Sequence, residues 1–116
     1  MTTVLVVDDE PDMLLLLRMT FEAAGYTVIE AANGAAALRA IEEGPAPDLV
    51  ITDLMMPVMD GRELIGRLRG DPRTADTPVM VVTANPTETI GADALVRKPF
   101  RPREIVEVAG SLLQTD

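Results

Sequence analysis

Short runs of β-branched and aliphatic residues alternate along this chain with longer stretches in which apolar residues recur every three or four positions. An uninterrupted apolar run reads as a strand buried on both faces, and the three-to-four spacing reads as one stripe of an amphipathic helix. On that pattern Thr3–Val7 is a first strand, followed by a helix from Pro11 to Ala24 with Leu14, Leu17, Phe21 and Ala24 on one stripe. Pro11 suits the first helical position and Gly25 supplies the stop. Thr27–Ala31 is a second strand, Asn33-Gly34 a turn, and Ala37, Leu38 and Ile41 mark a second helical face that Gly44-Pro45 closes. Asp48–Thr52 is a third strand. After a loop with Pro57 and Gly61, the residues Leu64, Ile65 and Leu68 form a third stripe. Pro78–Val82 and Ala94–Arg97 are the fourth and fifth strands. A last helix starts near Pro102 and turns Ile105, Ala109, Leu112 and Leu113 inward.

Strands alternating with helices predict an α/β fold: a five-stranded parallel sheet, doubly wound by right-handed crossovers, with helices on both faces. The 116 residues suit one domain, 1–116, with no room for a second. One crossover breaks the pattern. Only Ala84 to Asp93 separate the fourth strand from the fifth, with Pro86 and Gly91 inside and no apolar stripe. A crossover with its helix needs about ten to twelve residues or more. The fourth helix of the pattern is therefore expected to be shortened or absent, a loop or a single turn around Pro86–Ile90.

Composition narrows the chemistry. Neither Cys nor His occurs, which removes disulfides, thiolate and imidazole metal sites, and any triad built on His. Ten basic residues against 19 acidic ones give a net charge of −9, so a nucleic-acid backbone would be repelled. No signal peptide and no stretch of transmembrane length is visible, and the expected location is cytoplasmic, away from membranes.

In an open parallel sheet, ligands bind at the carboxyl ends of the strands. Asp8, Asp9 and Glu10 follow the first strand, Asp53 the third, Thr83 the fourth and Lys98 the fifth. Singly, each has a plain explanation: an acid capping a helix, a hydroxyl ending a strand, a solvated ammonium. Jointly they put acids, a hydroxyl and a cation on one rim. Two carboxylates at ~5 Å and an effective dielectric of ~20 repel by about 3 kcal/mol. Such a cluster takes up a proton, a cation or both. Mg²⁺ is a natural occupant, since it accepts one or two carboxylates and leaves room for a phosphate oxygen. Asp53 then serves as a nucleophile toward phosphorus, with Mg²⁺ and Lys98 neutralising the transferred oxygens and Thr83 donating a hydrogen bond to one of them. Arg97 is the wrong cation, because neighbouring strand residues point to opposite faces.

Val6-Val7-Asp8-Asp9-Glu10, the stretch from Asp53 to Gly61, Val82-Thr83-Ala84 and Lys98-Pro99-Phe100 together resemble the receiver domains of two-component response regulators, over the whole chain and in order. The resemblance implies a flavodoxin-like strand order 2-1-3-4-5. It implies Asp53 as phosphoacceptor, Asp9 and Asp53 as carboxylate ligands of Mg²⁺, and the backbone carbonyl of Met55 as a third ligand. Asp8 and Glu10 would act through bound water, and Lys98–Pro99 would be a cis bond. It implies a phosphodonor, either a sensor histidine kinase or a phosphotransfer protein, with small acyl phosphates as substitutes, and a downstream protein partner of unstated identity. The chain would be a switch rather than an enzyme, with slow autodephosphorylation at most.

Two departures stand out. Leu95 occupies a place where receivers commonly carry an aromatic, and is expected to be ordinary core. By comparison with the family, the short fourth crossover lacks about two turns of helix. Rival readings are a receiver-like interaction module that is never phosphorylated, and an aspartate-nucleophile phosphatase of the haloacid-dehalogenase type. The phosphatase would carry its nucleophile after the first strand, where Asp8 is followed two residues on by Glu10. A flavin carrier is disfavoured because Asp8, Asp9 and Glu10 would repel its phosphate.

Overall fold

The computed structural model describes residues 2–56, 59–84 and 91–113. Its strands are β1 (Thr3–Val7), β2 (Thr27–Ala31), β3 (Leu49–Thr52), β4 (Val79–Thr83) and β5 (Ala94–Arg97). Its helices are α1 (Pro11–Ala23), α2 (Gly34–Glu43), α3 (Gly61–Arg69) and α4 (Pro102–Leu113). The strands form one parallel sheet in the order β2-β1-β3-β4-β5. Among the described residues there are four helices and none between β4 and β5, in keeping with the expected loss of that crossover helix; Pro86–Ile90 itself lies outside the described residues.

The alternation of side chains along each strand divides the core in two. Leu5 and Val7 of β1, Val50 of β3 and Val79 and Val81 of β4 face α2 and α3, where they pack with Ala37, Ile41, Leu64, Ile65 and Leu68. Val4, Val6, Leu49, Ile51, Met80, Val82 and Val96 face the other way, against Leu17 and Phe21 of α1 and Ile105 and Ala109 of α4. The central strands β1, β3 and β4 are covered on both faces, which is why they read as continuous apolar runs rather than alternating ones. Leu95 is half-buried and packs against the α2–α3 core, as expected of ordinary core.

Several local expectations need correction. Ala24 does not face inward: it is the C-cap of α1 and is exposed, because Gly25 at φ +98° turns the chain there and lets its own N–H and that of Tyr26 bond back to Glu22 and Phe21 carbonyls. Asn33-Gly34 is a helix start rather than a free turn. The Asn33 side chain accepts from the Ala36 N–H at 2.8 Å, and Gly34 is the first residue of α2. A Cβ on Gly34 would run into Met59, so this glycine permits α2 to approach the loop after β3. β3 begins at Leu49, since the Asp48 carboxylate instead accepts the Thr3 N–H. β4 begins after Pro78, which has no N–H for the ladder, and runs through Thr83.

Candidate functional site

Every strand of a parallel sheet delivers its last residue to the same edge, so the ends of β1, β3, β4 and β5 bring Asp8, Asp53, Thr83 and Lys98 together. An open cleft there, about 330 Å³, is lined by Asp9, Glu10, Asp53, Met55, Thr83, Ala84 and Lys98. Asp8 borders it through its bond to Lys98 and is 1% exposed.

Lys98 organises the charge. Its Nζ donates to Asp53 Oδ2 at 2.7 Å and to Asp8 Oδ2 at 3.0 Å, with Glu10 Oε1 at 3.7 Å. Its own N–H bonds the Thr83 carbonyl at 2.9 Å, which carries the β4–β5 pairing up to the rim, and the following Lys98–Pro99 peptide is cis. Arg97, one residue earlier, is exposed and does not line the cleft, as alternation requires.

Asp53 is held from both sides. Its Oδ1 accepts the N–H groups of Leu54 at 2.6 Å and Met55 at 3.2 Å, and its Oδ2 takes the ammonium. The buried Thr52 hydroxyl donates to the Asp53 carbonyl at 2.8 Å. Gly61, at the first position of α3, lies so close that an added Cβ would collide with the Asp53 carbonyl oxygen and Leu54 Cα. Its N–H also bonds the Leu54 carbonyl. Thr52 and Gly61 were not legible as site residues. A buried hydroxyl at a strand end and a glycine opening a helix were the available signals, and both also occur without function.

Burial pushes the Asp8 carboxyl above its ordinary 3.8, against the pull of the Glu10 N–H and of Lys98, and the Asp53 charge adds to the rise. Burial also works against the Lys98 ammonium, but its bonds to Asp53 and Asp8, and their charges, outweigh it and raise Lys98 above 10.5. These directions look inconsistent for one ion pair, which ought to hold Asp8 down. They agree once partners are counted: Lys98 gathers two carboxylates, whereas the almost fully buried Asp8 has half of one ammonium to offset its desolvation.

The oxygens of Asp8, Asp9 and Glu10 can lie within 4.8 Å of one another, a hard-donor set that fits a divalent cation. Glu10 lies in the same cluster as Asp8 and Asp9, and Asp53 faces the same cleft and shares Lys98 with Asp8. Met55 is exposed, at 66%, and lines the cleft mouth. Thr83 is buried at the cleft wall.

The profile of the family described as response regulator receiver domain matches residues 4–109. The transcriptional regulatory protein KdpE of Mycobacterium tuberculosis H37Rv is 46% identical over 107 residues, covering 86% of this chain and 46% of that protein. The chain thus spans about half the length of the curated relatives it matches. Chemotaxis protein CheY4 of Vibrio cholerae superposes with a TM-score of 0.91 at 30% identity, covering 97% of this chain and 99% of that one. Response regulator TrrA of Thermotoga maritima, solved in complex with Mg²⁺-BeF, gives a TM-score of 0.86 at 35% identity, covering 97% and 100%.

Proposed function

The chain belongs to the receiver-domain family of response regulators, and from that premise we propose that residues 1–116 act as a phosphorylation switch that takes a phosphoryl group onto Asp53. The observation that carries this reading is the placement of Lys98 Nζ, 2.7 Å from Asp53 Oδ2 and 3.0 Å from Asp8 Oδ2, in a cleft that Thr83 also lines. A carboxylate oxygen of Asp53 forms the new O–P bond as the P–N bond of a phosphohistidine on a sensor kinase or phosphotransfer protein breaks. The imidazole leaves with its electron pair.

Within this chain the Leu54 and Met55 N–H groups fix the rotation of the Asp53 carboxylate, so one geometry is presented to the donor. Lys98 offers its ammonium to the oxygens of the incoming group, and the Thr83 hydroxyl donates to another. Asp8, Asp9, Asp53 and the Met55 carbonyl are the assigned holders of Mg²⁺, with Glu10 alongside, and the bound ion would supply charge neutralisation and orientation. TrrA, solved with Mg²⁺-BeF, supports carrying that ion to this site. On this reading the chain is a phosphoacceptor rather than an enzyme, with slow autodephosphorylation at most. Among the described residues no helix is long and apolar enough to cross a membrane. On the proposed reading the switch works in the cytoplasm and passes its signal to another protein.

Intact mass after incubation with acetyl phosphate and Mg²⁺ tests the reading. One added phosphoryl group in wild type, absent from Asp53→Ala and abolished by a chelator, is expected. Failure to accept phosphate from both acetyl phosphate and a panel of phosphorylated histidine kinases would leave a constitutive interaction module as the better description.

A further inference from the structure

β5 is an edge strand of four residues, paired among the described residues only with β4. Its start is nevertheless tightly held. Asp93 N–H donates to the Val79 carbonyl at 2.8 Å, and Asp93 Oδ2 accepts the Val79 N–H, also at 2.8 Å. Asp93 is thereby locked opposite Val79, one step before the Met80–Ala94 pairing. The same Oδ2 accepts from Arg69 at the end of α3, 2.8 Å away. The Arg69 guanidinium donates as well to the carbonyls of Ala75, Thr77 and Gly91. One side chain therefore ties α3, the approach to β4 and the approach to β5 into a single joint.

That joint sits at the opposite end of β5 from Lys98. In a strand, a slip of one residue turns every side chain to the other face. In the observed register Val96 is buried in the α1–α4 core, Arg97 is exposed and Lys98 reaches Asp53 and Asp8. A slip would send Lys98 away from the cleft. Extending the phosphorylation reading above, we infer that Arg69 and Asp93 are positioning residues for the reaction: by pinning the register of β5 on β4 they place the Lys98 ammonium at Asp53.

The test compares wild type, Asp93→Ala and Asp93→Asn, each shown to be folded by circular dichroism. Phosphorylation rate with acetyl phosphate and Mg²⁺ is measured beside Mg²⁺ affinity without phosphodonor. Asp93→Ala is expected to lose about tenfold or more in rate, the scale of a displaced electrostatic stabiliser. Its Mg²⁺ affinity should hold or tighten, because the carboxylates on β1 and β3 stay in place while the competing ammonium is loosened. Asp93→Asn keeps an oxygen for Val79 N–H and Arg69, and should recover most of the rate. An unchanged rate in Asp93→Ala overturns the inference; so does a rate loss accompanied by weaker Mg²⁺ binding, which marks general damage. If Asp93→Ala does not fold, Arg69→Gln, which spares the Asp93–Val79 bonds, goes through the same measurements and the same criteria. If wild type accepts no phosphoryl group from acetyl phosphate or from phosphorylated histidine kinases, the phosphorylation reading fails on its own. Cross-strand nuclear Overhauser contacts between β4 and β5 then decide the register: a wild-type pattern in Asp93→Ala overturns the inference, and a shifted or doubled pattern upholds it.

Discussion

Replacing Lys98 by Met removes the ammonium while keeping a flexible chain of similar length, and the structure allows the cost to be worked out. Two charge-assisted hydrogen bonds disappear, to Asp53 Oδ2 and Asp8 Oδ2. Their acceptors are 9% and 2% exposed at the side chain, so water replaces the lost donor poorly. Orphaning a buried ionic partner costs about 3–5 kcal/mol. Part of this is relieved because Asp8, already raised above 3.8, is able to take up a proton. A net loss of about 3 kcal/mol is expected at neutral pH in the presence of a chelator. With a urea slope of roughly 1.5–2 kcal/mol/M, the midpoint falls by about 1.5–2 M. Mg²⁺ changes the outcome. A divalent ion neutralises the same carboxylates, and at a hundredfold excess over its dissociation constant it adds about 2.7 kcal/mol to any form that binds it. The variant gains more than wild type, whose Lys98 competes for Asp53, so the deficit should shrink to about 1 kcal/mol. Paired urea titrations with chelator and with Mg²⁺ make the measurement. A deficit of equal size in both conditions would refute the reasoning, because it would mean that ammonium and metal do not serve the same charges.

Gly61→Ala must push a methyl group into the Asp53 carbonyl, so the loop carrying Asp53 has to move; phosphorylation should slow by about tenfold with little change in far-ultraviolet circular dichroism, and a wild-type rate would show the loop to be tolerant. Asp8 binds its proton more tightly folded than unfolded. Its favourable contribution is therefore complete below 3.8 and is lost as pH rises through its higher folded pKa. Asp8→Asn, which keeps an oxygen for the Glu10 N–H, should stabilise the metal-free protein at pH 7 while weakening Mg²⁺ binding; a loss of stability in chelator would contradict this. Phe21→Ala, at 0% exposure in the α1–α4 core, should cost about 3–5 kcal/mol in urea unfolding yet leave Mg²⁺ affinity within about twofold.

The sheet was legible because burial on both faces leaves its mark directly in the sequence. Val4–Val7, Leu49–Ile51 and Val79–Val82 are uninterrupted apolar runs, and no polar residue survives there to blur the ends. Strand ends then located the site, since a parallel sheet sends all of them to one edge. Boundaries were less legible where a side chain competes with the ladder, as Asp48 does at Thr3 N–H, or where the deciding contact is remote, as between Gly34 and Met59. Ala24 was misplaced because periodicity continues past the residue at which Gly25 bends the chain. The arginine–aspartate joint could not be read at all: Arg69 and Asp93 are 24 residues apart, and each alone is an ordinary surface charge.

That joint bears on how the proposed switch would transmit its state. Lys98 holds the resting site together by facing Asp8 and Asp53 at once, and a phosphoryl group on Asp53 would exchange the single carboxylate charge there for about two on the phosphoryl oxygens. The ammonium then has a stronger partner on Asp53 than on Asp8, so Lys98 is drawn toward the Asp53 side of the cleft. Its main chain is bonded to the Thr83 carbonyl, and Thr83 lines the same cleft, so a shift of Lys98 is felt at the ends of both β4 and β5. Arg69 anchors the other ends of these two strands to α3. Strands fixed at one end and pulled at the other change their relation at the free end, where the chain leaves β4 for the short crossover. A signal would therefore emerge beside Ala84 and Phe100 rather than along β5. Amide hydrogen exchange with and without phosphodonor should accordingly change at Ala84 and at Phe100–Arg101 while Asp93 and Val79 stay protected. Equal change at both ends of β5 would mean that the strand moves as a rigid unit and that the joint does not hold.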